Sequence, residues 1–187
     1  IPAELDLVEP LADDGPARSR KVTLVLDDKT RNASMPGLSD LLSGTIKVAI
    51  DKSGEGAQQV AADLTGARLD IPWAGWSKGA GIPAKVTFDM AKSGSTTTLT
   101  NFDLEGKSFS IDGNVTLVNG SLSALRFSKV ALNRGDDVAV SVKRAGKSYA
   151  VDVSGASLDA RSLIKQFTSD ADTATKGAGS DAISVSA

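Results

Sequence analysis

Apolar and polar residues alternate along most of the chain, a pattern that predicts β-strands rather than helices. In residues 22–26, 46–50, 84–90 and 138–142 every second side chain is apolar. Side chains two positions apart lie on the same face of a strand, so these runs indicate strands with one buried face. Asn119-Gly120 follows a further run and is the dipeptide favoured by a type I′ hairpin turn. We therefore predict an antiparallel meander.

A second pattern recurs three times: Asp, an aliphatic residue, any residue, Gly, two small or polar residues, an apolar residue, then Asp or Ser. The copies are residues 63–70, 103–110 and 152–159. The apolar parity changes across the glycine of each copy, so an extra residue must be absorbed there as a bulge or a tight bend. We predict that Gly66, Gly106 and Gly155 are structural bends with positive φ that curve the sheet.

These patterns predict an all-β fold for residues 21–167: one long, strongly curved antiparallel sheet, shaped like a trough. Residues 1–20 precede it as a lead-in segment with a short strand at residues 5–7. The first strand of the domain is expected to end at Asp27-Asp28-Lys29, and residues 35–42 indicate a short helical turn.

The C-terminal part changes character. Residues 159–167 begin with an acidic N-cap and carry apolar residues at Leu163, Ile164 and Phe167, which predicts a short C-terminal helix. Residues 168–187 start as a linker of small and polar residues. Alternation then resumes at residues 183–185, as at the start of a further module.

Composition narrows the range of functions. The chain has 187 residues, 41% of them hydrophobic but only 4% aromatic, so the buried surface is mainly aliphatic. A net charge of -2 offers no basic face for nucleic acid, and zero cysteines exclude disulfides and thiol catalysis. No apolar run approaches the roughly 20 residues that span a bilayer. Because the first residue is Ile1 rather than Met, we expect a piece of a longer protein.

Motifs for catalysis or cofactor binding are weak. Without histidine, the Ser-His-Asp triad and histidine metal sites are excluded. Gly106-Lys-Ser108 and Gly146-Lys-Ser148 resemble the end of a phosphate loop, but the required earlier glycine is missing and strands rather than helices follow. Residues 177–183 match one calcium-binding β-roll repeat incompletely, and such repeats work in tandem. We therefore expect neither an enzyme nor a bound cofactor or metal.

Two groups of residues keep alternative interpretations open. Six aspartates recur near the repeat boundaries and would suit a glycosidase pair or a calcium site, although turn and strand-edge acids explain them more simply. They are Asp63, Asp70, Asp103, Asp112, Asp152 and Asp159. Trp73 and Trp76 stack on sugars, as in a carbohydrate-binding module, lie at a membrane interface, or plug the end of a sheet that is otherwise built from small residues.

The apolar face raises the main functional question. A single antiparallel sheet has one face to bury, and outside residues 163–167 no amphipathic helix is available to cover it. Either the sheet folds onto itself as a closed sandwich, or the face remains open as a groove for an apolar ligand.

Ordered sequence signatures across residues 20–167 resemble the AsmA-like proteins of the Gram-negative envelope, especially the large YhdP type. The signatures are VTLVLDD (22–28), LSGTI (42–46), ADLTGARLD (62–70), WAGWSKGAGIPA (73–84), LEG with NVTL (104–106 and 114–117), and GASLDARSL (155–163). The resemblance implies a segment of a large periplasmic protein whose N-terminal helix anchors it in the inner membrane. It also implies a hydrophobic β-trough linked to phospholipid movement toward the outer membrane and to envelope integrity.

We therefore expect a lipid groove that binds phospholipid acyl chains and continues into adjacent β-modules of the same chain. On strand parity, its lining should be Val86, Phe88, Met90, Phe109, Ile111, Val115 and Leu117. The alternatives are a closed structural or adhesin-like β-repeat module and a carbohydrate-binding module that uses the two tryptophans.

Overall fold

The computed structural model of the chain describes residues 2–8, 19–34, 39–53, 57–71, 74–146, 148–157 and 183–186. Within these residues the fold is almost entirely β, as the alternation predicts. The elements in chain order are β1 (Ala3–Val8), β2 (Ser19–Leu26), α1 (Asp28–Ser34), β3 (Leu42–Gly44), β4 (Ile46–Ser53), β5 (Gln58–Asp63), β6 (Ala67–Ile71), β7 (Trp76–Lys78), β8 (Ala84–Ser93), β9 (Thr96–Gly106), β10 (Ser110–Val118), β11 (Ser121–Ala131), β12 (Asp137–Ala145), β13 (Ser148–Ser157) and β14 (Ile183–Ser186).

One large sheet contains most of the strands, in the order β1-β2-β4-β5-β8-β9-β10-β11-β12-β13-β14. Neighbours from β1 to β13 run antiparallel, and β14 adds in parallel to β13. The short N-terminal strand expected at residues 5–7 is thus part of this sheet. Residues 183–186 also belong to this sheet, as β14 beside β13, whereas their alternation predicts the first strand of a further module.

The predicted hairpin turn is confirmed. Asn119 and Gly120 have φ angles of 51° and 76°, both in the left-handed region that a type I′ turn requires. The flanking residues Val118 and Ser121 pair directly. This turn therefore sets the register with which β11 returns along β10.

Helix α1 lies where the sequence indicated only a polar end to a strand. Asp27 acts as its N-cap, because its Oδ1 accepts the backbone N–H of Thr30 at 2.8 Å. The helical turn expected at residues 35–42 is not observed where the structure describes it, since residues 39–41 form a turn and Leu42 begins β3. The helix predicted at residues 159–167 lies outside the described residues.

The prediction that three glycines share positive φ is wrong. Gly66, Gly106 and Gly155 are absent from the left-handed region, and their surroundings differ. Gly66 lies in the turn between β5 and β6, Gly106 ends β9, and Gly155 lies within β13 beside a bulge at Asp137. What they share is crowding: a Cβ would lie 2.8 Å from a backbone oxygen at Gly66, 2.2 Å from the Phe109 ring at Gly106 and 2.2 Å from a backbone oxygen at Gly155.

A different residue produces the bulge in the middle of the large sheet. Asn101 on β9 has a φ of 52°, and the register with β8 shifts at this point. The Asn101 Nδ2 donates to Asp89 Oδ2 at 2.7 Å, and its backbone N–H donates to Asn114 Oδ1 at 3.3 Å. As a result, Leu99 and Phe102 face the same side although they are three residues apart.

A second sheet, with the order β3-β6-β7, covers one end of the apolar face of the large sheet. The two sheets share one hydrophobic core. Its buried members are Leu26, Leu42, Ile46, Val48, Val60, Ala62, Leu64, Ala67, Ala84, Leu104, Phe109, Ile111 and Leu132. The chain therefore closes a small sandwich over one end of a much wider sheet.

We predict that Gly155→Ala destabilises the fold by about 1–3 kcal/mol, because the new methyl group would overlap the backbone of β12. The atoms in conflict are the Asp137 oxygen at 2.2 Å and the Val138 Cα at 2.6 Å. Chemical denaturation monitored by circular dichroism measures the change.

Gly79→Ala is the matched control, since its Cβ would meet nothing nearer than the Ile82 Cδ1 at 3.9 Å. It should leave the free energy of unfolding within about 1 kcal/mol of the parent value. Equal stability of the two variants would contradict the close approach of β12 and β13 at this position.

Candidate functional site

Burial along the apolar face of the large sheet is uneven. Under the β3-β6-β7 sheet, face residues such as Ile46, Ala62 and Ile111 are buried, with 4–6% of their surface exposed. The β8-β9, β10-β11 and β12-β13 hairpin turns lie at the opposite end of the sheet. Toward these turns, the residues of the same face are only half-buried. The face is therefore closed at one end and accessible at the other.

Two buried cations hold the small sheet on the closed end. The Arg31 side chain is 1% exposed; its Nη1 and Nη2 donate to the Gly44 and Leu42 carbonyls at 2.8 and 2.6 Å. Arg31 also pairs with Asp28, whose carboxylate accepts the Gly44 N–H at 2.8 Å. These hydrogen bonds hold the pKa of Asp28 below its ordinary value. Arg31 thus ties α1 to strand β3.

Lys78 plays the corresponding part on β7. Its ammonium donates to the carbonyls of Leu64, Ala67 and Gly79 at 2.8, 2.6 and 3.2 Å, which uses all three donors. Burial lowers the pKa of Lys78, although the negative charge of Asp63 opposes this shift. Since all three hydrogen bonds are to backbone carbonyls, Lys78 has a structural role and links strand β7 to the turn after β5.

Three phenylalanines mark the boundary between the closed and the accessible part of the face. The ring centroids of Phe88 and Phe102 lie 6.2 Å apart, and those of Phe102 and Phe127 lie 5.6 Å apart. Gly113 on β10 pairs with both Phe102 and Phe127, so its missing side chain leaves room for the two rings to meet. This aromatic row crosses four adjacent strands.

Beyond the aromatic row lies a continuous aliphatic surface that we call the apolar shelf. Its members occupy successive register positions on six strands, each pairing with the next, and all are half-buried. They are Met90, Leu99, Val115, Leu125, Val142 and Val151. Leu117 lies two residues beyond Val115 and extends the shelf toward the hairpin turns.

The size of the shelf follows from the spacing of its strands. Six strands about 4.8 Å apart span roughly 24 Å, and the rows from Phe102 to Leu117 cover about 13 Å along the strands. This footprint of roughly 300 Å² is comparable to the largest apolar patch of a typical monomeric protein, and such patches are often functional. Among the described residues, the core side chains that pack on the face belong mainly to the closed end, and Tyr149 lies at the outer edge, where its hydroxyl donates to the Leu122 carbonyl at 3.3 Å.

The predicted groove residues divide between these two regions. Val86, Phe88, Met90, Val115 and Leu117 share one face and are half-buried. Phe109 and Ile111 share that face but are 7% and 6% exposed within the core, so they cannot line an accessible groove. Sequence reasoning missed Leu99, Leu125, Val142 and Val151. The alternation in β12 and β13 is visible in the sequence. Only the strand register shows that Val142 and Val151 lie on the same face as Leu125.

Trp76 packs against the core rather than projecting from it. Its ring meets Phe109 edge-to-face, with a centroid distance of 4.8 Å, and it is half-buried. This geometry supports the interpretation that Trp76 plugs the end of the sheet. Trp73 lies outside the described residues.

The recurring aspartates are dispersed over several elements. Asp63 accepts the Thr65 N–H at 2.8 Å, and Asp70 pairs with Arg68 at 2.9 Å, as expected for turn and strand-edge acids. Asp103 and Asp112 are direct cross-strand partners on the polar face, whereas Asp152 pairs with Ser141. Asp159 lies outside the described residues. In the described part of the chain, no group of three acids is placed to hold a metal ion.

Two depressions of about 470 Å³ are lined mainly by polar residues, although Leu125, Val142 and Val151 of the shelf also border one of them. One lies beside Asp103, Asp112 and Lys129. The other is lined mainly by side chains of the opposite face of β10 to β13, including Arg126 and Lys143. The shelf is therefore an open surface and not a preformed enclosed pocket of this kind.

Comparisons with protein-family models, curated proteins and solved structures find no match to this chain. Among the described residues, no helix has the length and apolar character needed to cross a bilayer.

We predict a raised pKa for Asp103 that depends on Asp112. Burial, followed by the negative charge of Asp112, raises the pKa of the Asp103 carboxyl above its ordinary value of 3.8. The folded chain then binds more protons than the unfolded chain between pH 3.8 and the folded pKa, so this carboxyl makes stability fall as pH rises through that window. In Asp112→Asn, nuclear magnetic resonance titration should show the Asp103 pKa moving down toward 3.8.

Asp152→Asn serves as the control. Asp152 lies on β13 opposite Ser141, several strands away from Asp103 on β9, so this substitution should leave the titration of Asp103 unchanged. A parent Asp103 that titrates at or below 3.8 would contradict the prediction.

Proposed function

We propose that this chain binds phospholipid acyl chains on its apolar shelf, as a segment of an AsmA-like periplasmic protein that carries lipid across the Gram-negative envelope. The observation that carries the proposal is the burial gradient along one face. The same aliphatic face is closed under the small sheet and half-buried across six adjacent strands beyond it. In this proposal the full-length protein is anchored in the inner membrane, and adjacent β-modules of the same chain extend the surface.

The dimensions of the shelf suit an acyl chain. One leaflet contributes about half of the roughly 30 Å hydrocarbon core of a bilayer, so an acyl chain extends about 15 Å. The shelf measures roughly 24 Å across six strands, so a chain can lie along it without leaving apolar surface. Beyond the closed end the shelf is an open surface. A ligand can therefore slide along it without the opening of a pocket.

The driving force is the hydrophobic effect and requires no chemical step. Each methylene removed from water contributes about 0.8 kcal/mol. The closed end forms a wall, because the buried core beneath β3-β6-β7 leaves no room for a ligand. Acyl chains therefore lie between the Phe88, Phe102 and Phe127 row and the hairpin turns, and head groups remain near water.

We predict that a photo-crosslinking side chain placed at Leu117 forms adducts with phospholipid, whereas the same group at Thr116 forms few. The two positions are adjacent on β10 and face opposite sides of the sheet. Mass spectrometry of the 187-residue chain after irradiation with phosphatidylcholine vesicles measures the yield. Equal labelling at the two positions, or none at either, would refute lipid binding on the shelf.

A charged residue on the shelf should weaken lipid binding without unfolding the protein. In Val115→Asp the carboxylate would lose hydration on contact with acyl chains, and we expect the crosslinking yield at Leu117 to fall at least tenfold. Thr116→Asp is the matched control on the other face. Circular dichroism melting separates this from a closed module, in which the same change would bury an unpaired charge and unfold the domain.

The buried residue Ile111 supplies a positive control for unfolding. Ile111→Arg places a charge in the core, where the native side chain is 6% exposed, and should abolish the cooperative melting transition. If Val115→Asp lacks a cooperative melting transition, as Ile111→Arg is expected to, a closed structural repeat is the better interpretation.

A further inference from the structure

Four cations lie on the apolar side of the large sheet, at the end nearest the hairpin turns. The strand register defines their side. Arg20 and Lys52 pair with each other and lie two residues beyond the apolar pair Val22 and Ile50. Lys92 lies two residues beyond Met90, and Arg144 lies two residues beyond Val142, so both continue the face of the apolar shelf.

All four side chains are exposed. They lie on β2, β4, β8 and β12, so the set spans seven strand spacings, or roughly 34 Å. The Nε of Arg144 donates to the Gly146 carbonyl at 3.2 Å, which fixes the guanidinium beside its own turn. We call these four residues the basic rim.

The acids of the same strands point the other way. Asp51 and Asp89 are adjacent in sequence to Lys52 and Met90, so strand alternation places them on the polar face. Asp51 lies opposite Lys21 in the β2-β4 register there. Among the described residues of β2 to β13, the rim side of this end therefore carries cations and no acid, although the whole chain is slightly acidic with a net charge of -2.

We propose that the basic rim binds the phosphate of an anionic phospholipid head group while the acyl chains lie on the apolar shelf. This inference rests on the proposed function and adds a preference for anionic over zwitterionic lipid. Continuity supports it, because Lys92 and Arg144 flank Leu117 at the outer limit of the shelf. A lipid whose acyl chains lie across the strands beside Leu117 has its phosphate within reach of these side chains when its head group turns toward the hairpin turns.

The positive charges of the rim attract an anionic head group, and the spacing of the cations sets where head groups bind. A basic residue near an anionic lipid surface strengthens binding by roughly fivefold, and the effect is screened by salt over about 10 Å. One strand separates the cation on β4 from that on β8, and three strands separate the latter from the cation on β12. These cations therefore present several head-group positions along the rim, as a surface that moves lipids in sequence would need.

The test compares two triple variants with equal charge change. Lys52→Gln/Lys92→Gln/Arg144→Gln removes the rim cations on β4, β8 and β12, and Lys47→Gln/Lys85→Gln/Lys143→Gln removes exposed cations of the opposite face on the same three strands. Arg20 is left unchanged. Each chain carries the photo-crosslinking group at Leu117 and is irradiated with vesicles of phosphatidylcholine alone or with about one third phosphatidylglycerol.

The parent should label phosphatidylglycerol in preference to phosphatidylcholine, and the preference should fall when sodium chloride is raised. The rim triple should lose that preference by roughly tenfold or more and keep its labelling of phosphatidylcholine, whereas the opposite-face triple should keep both. Equal loss in the two triples, or no preference in the parent, would overturn the basic rim while leaving lipid binding intact. Absence of labelling with every vesicle would instead refute the proposed function, and the inference with it.

Discussion

Strand register is the constraint on which the rest of this structure depends. In a sheet with one apolar face, a slip of one residue between neighbours would transfer a whole strand's aliphatic side chains to water. The large sheet joins eleven strands, so the same face must be maintained across ten successive pairings. Register is kept by tight hairpins such as Asn119-Gly120 and is adjusted by bulges where the alternation of a strand breaks.

The bulge at Asn101 shows how this adjustment works. A left-handed backbone is unfavourable for most residues, but asparagine tolerates it, and two hydrogen bonds to Asp89 and Asn114 fix it here. The extra residue brings Leu99 and Phe102 to the same face. Without it, either the aromatic row or the outer row of the shelf would point to the polar side.

Closure of one end follows from a different interaction. The three short strands of the small sheet contribute Leu42 and Ala67 to the shared core, and Arg31 and Lys78 add hydrogen bonds to backbone carbonyls there. Burying two charges is costly unless their donors find partners. Here backbone carbonyls accept from all three donors of Lys78 and from both Nη atoms of Arg31, whereas the buried Arg31 Nε has no partner among the described residues. The closed end thereby acts as a rigid base from which the wider sheet extends.

The sequence by itself determined the all-β class, the hairpin at Asn119-Gly120 and the residues that share a face within each strand, because period-two alternation and turn chemistry are local properties. It also identified five of the half-buried face residues, including Phe88 and Val115. Only the tertiary structure decided which apolar residues are buried. Phe109 and Ile111 are indistinguishable from Val115 by parity, and they enter the core only because β3, β6 and β7 fold over that end. The shelf residues of β12 and β13, and the side on which Lys92 and Arg144 lie, likewise depend on long-range pairing that no local pattern encodes.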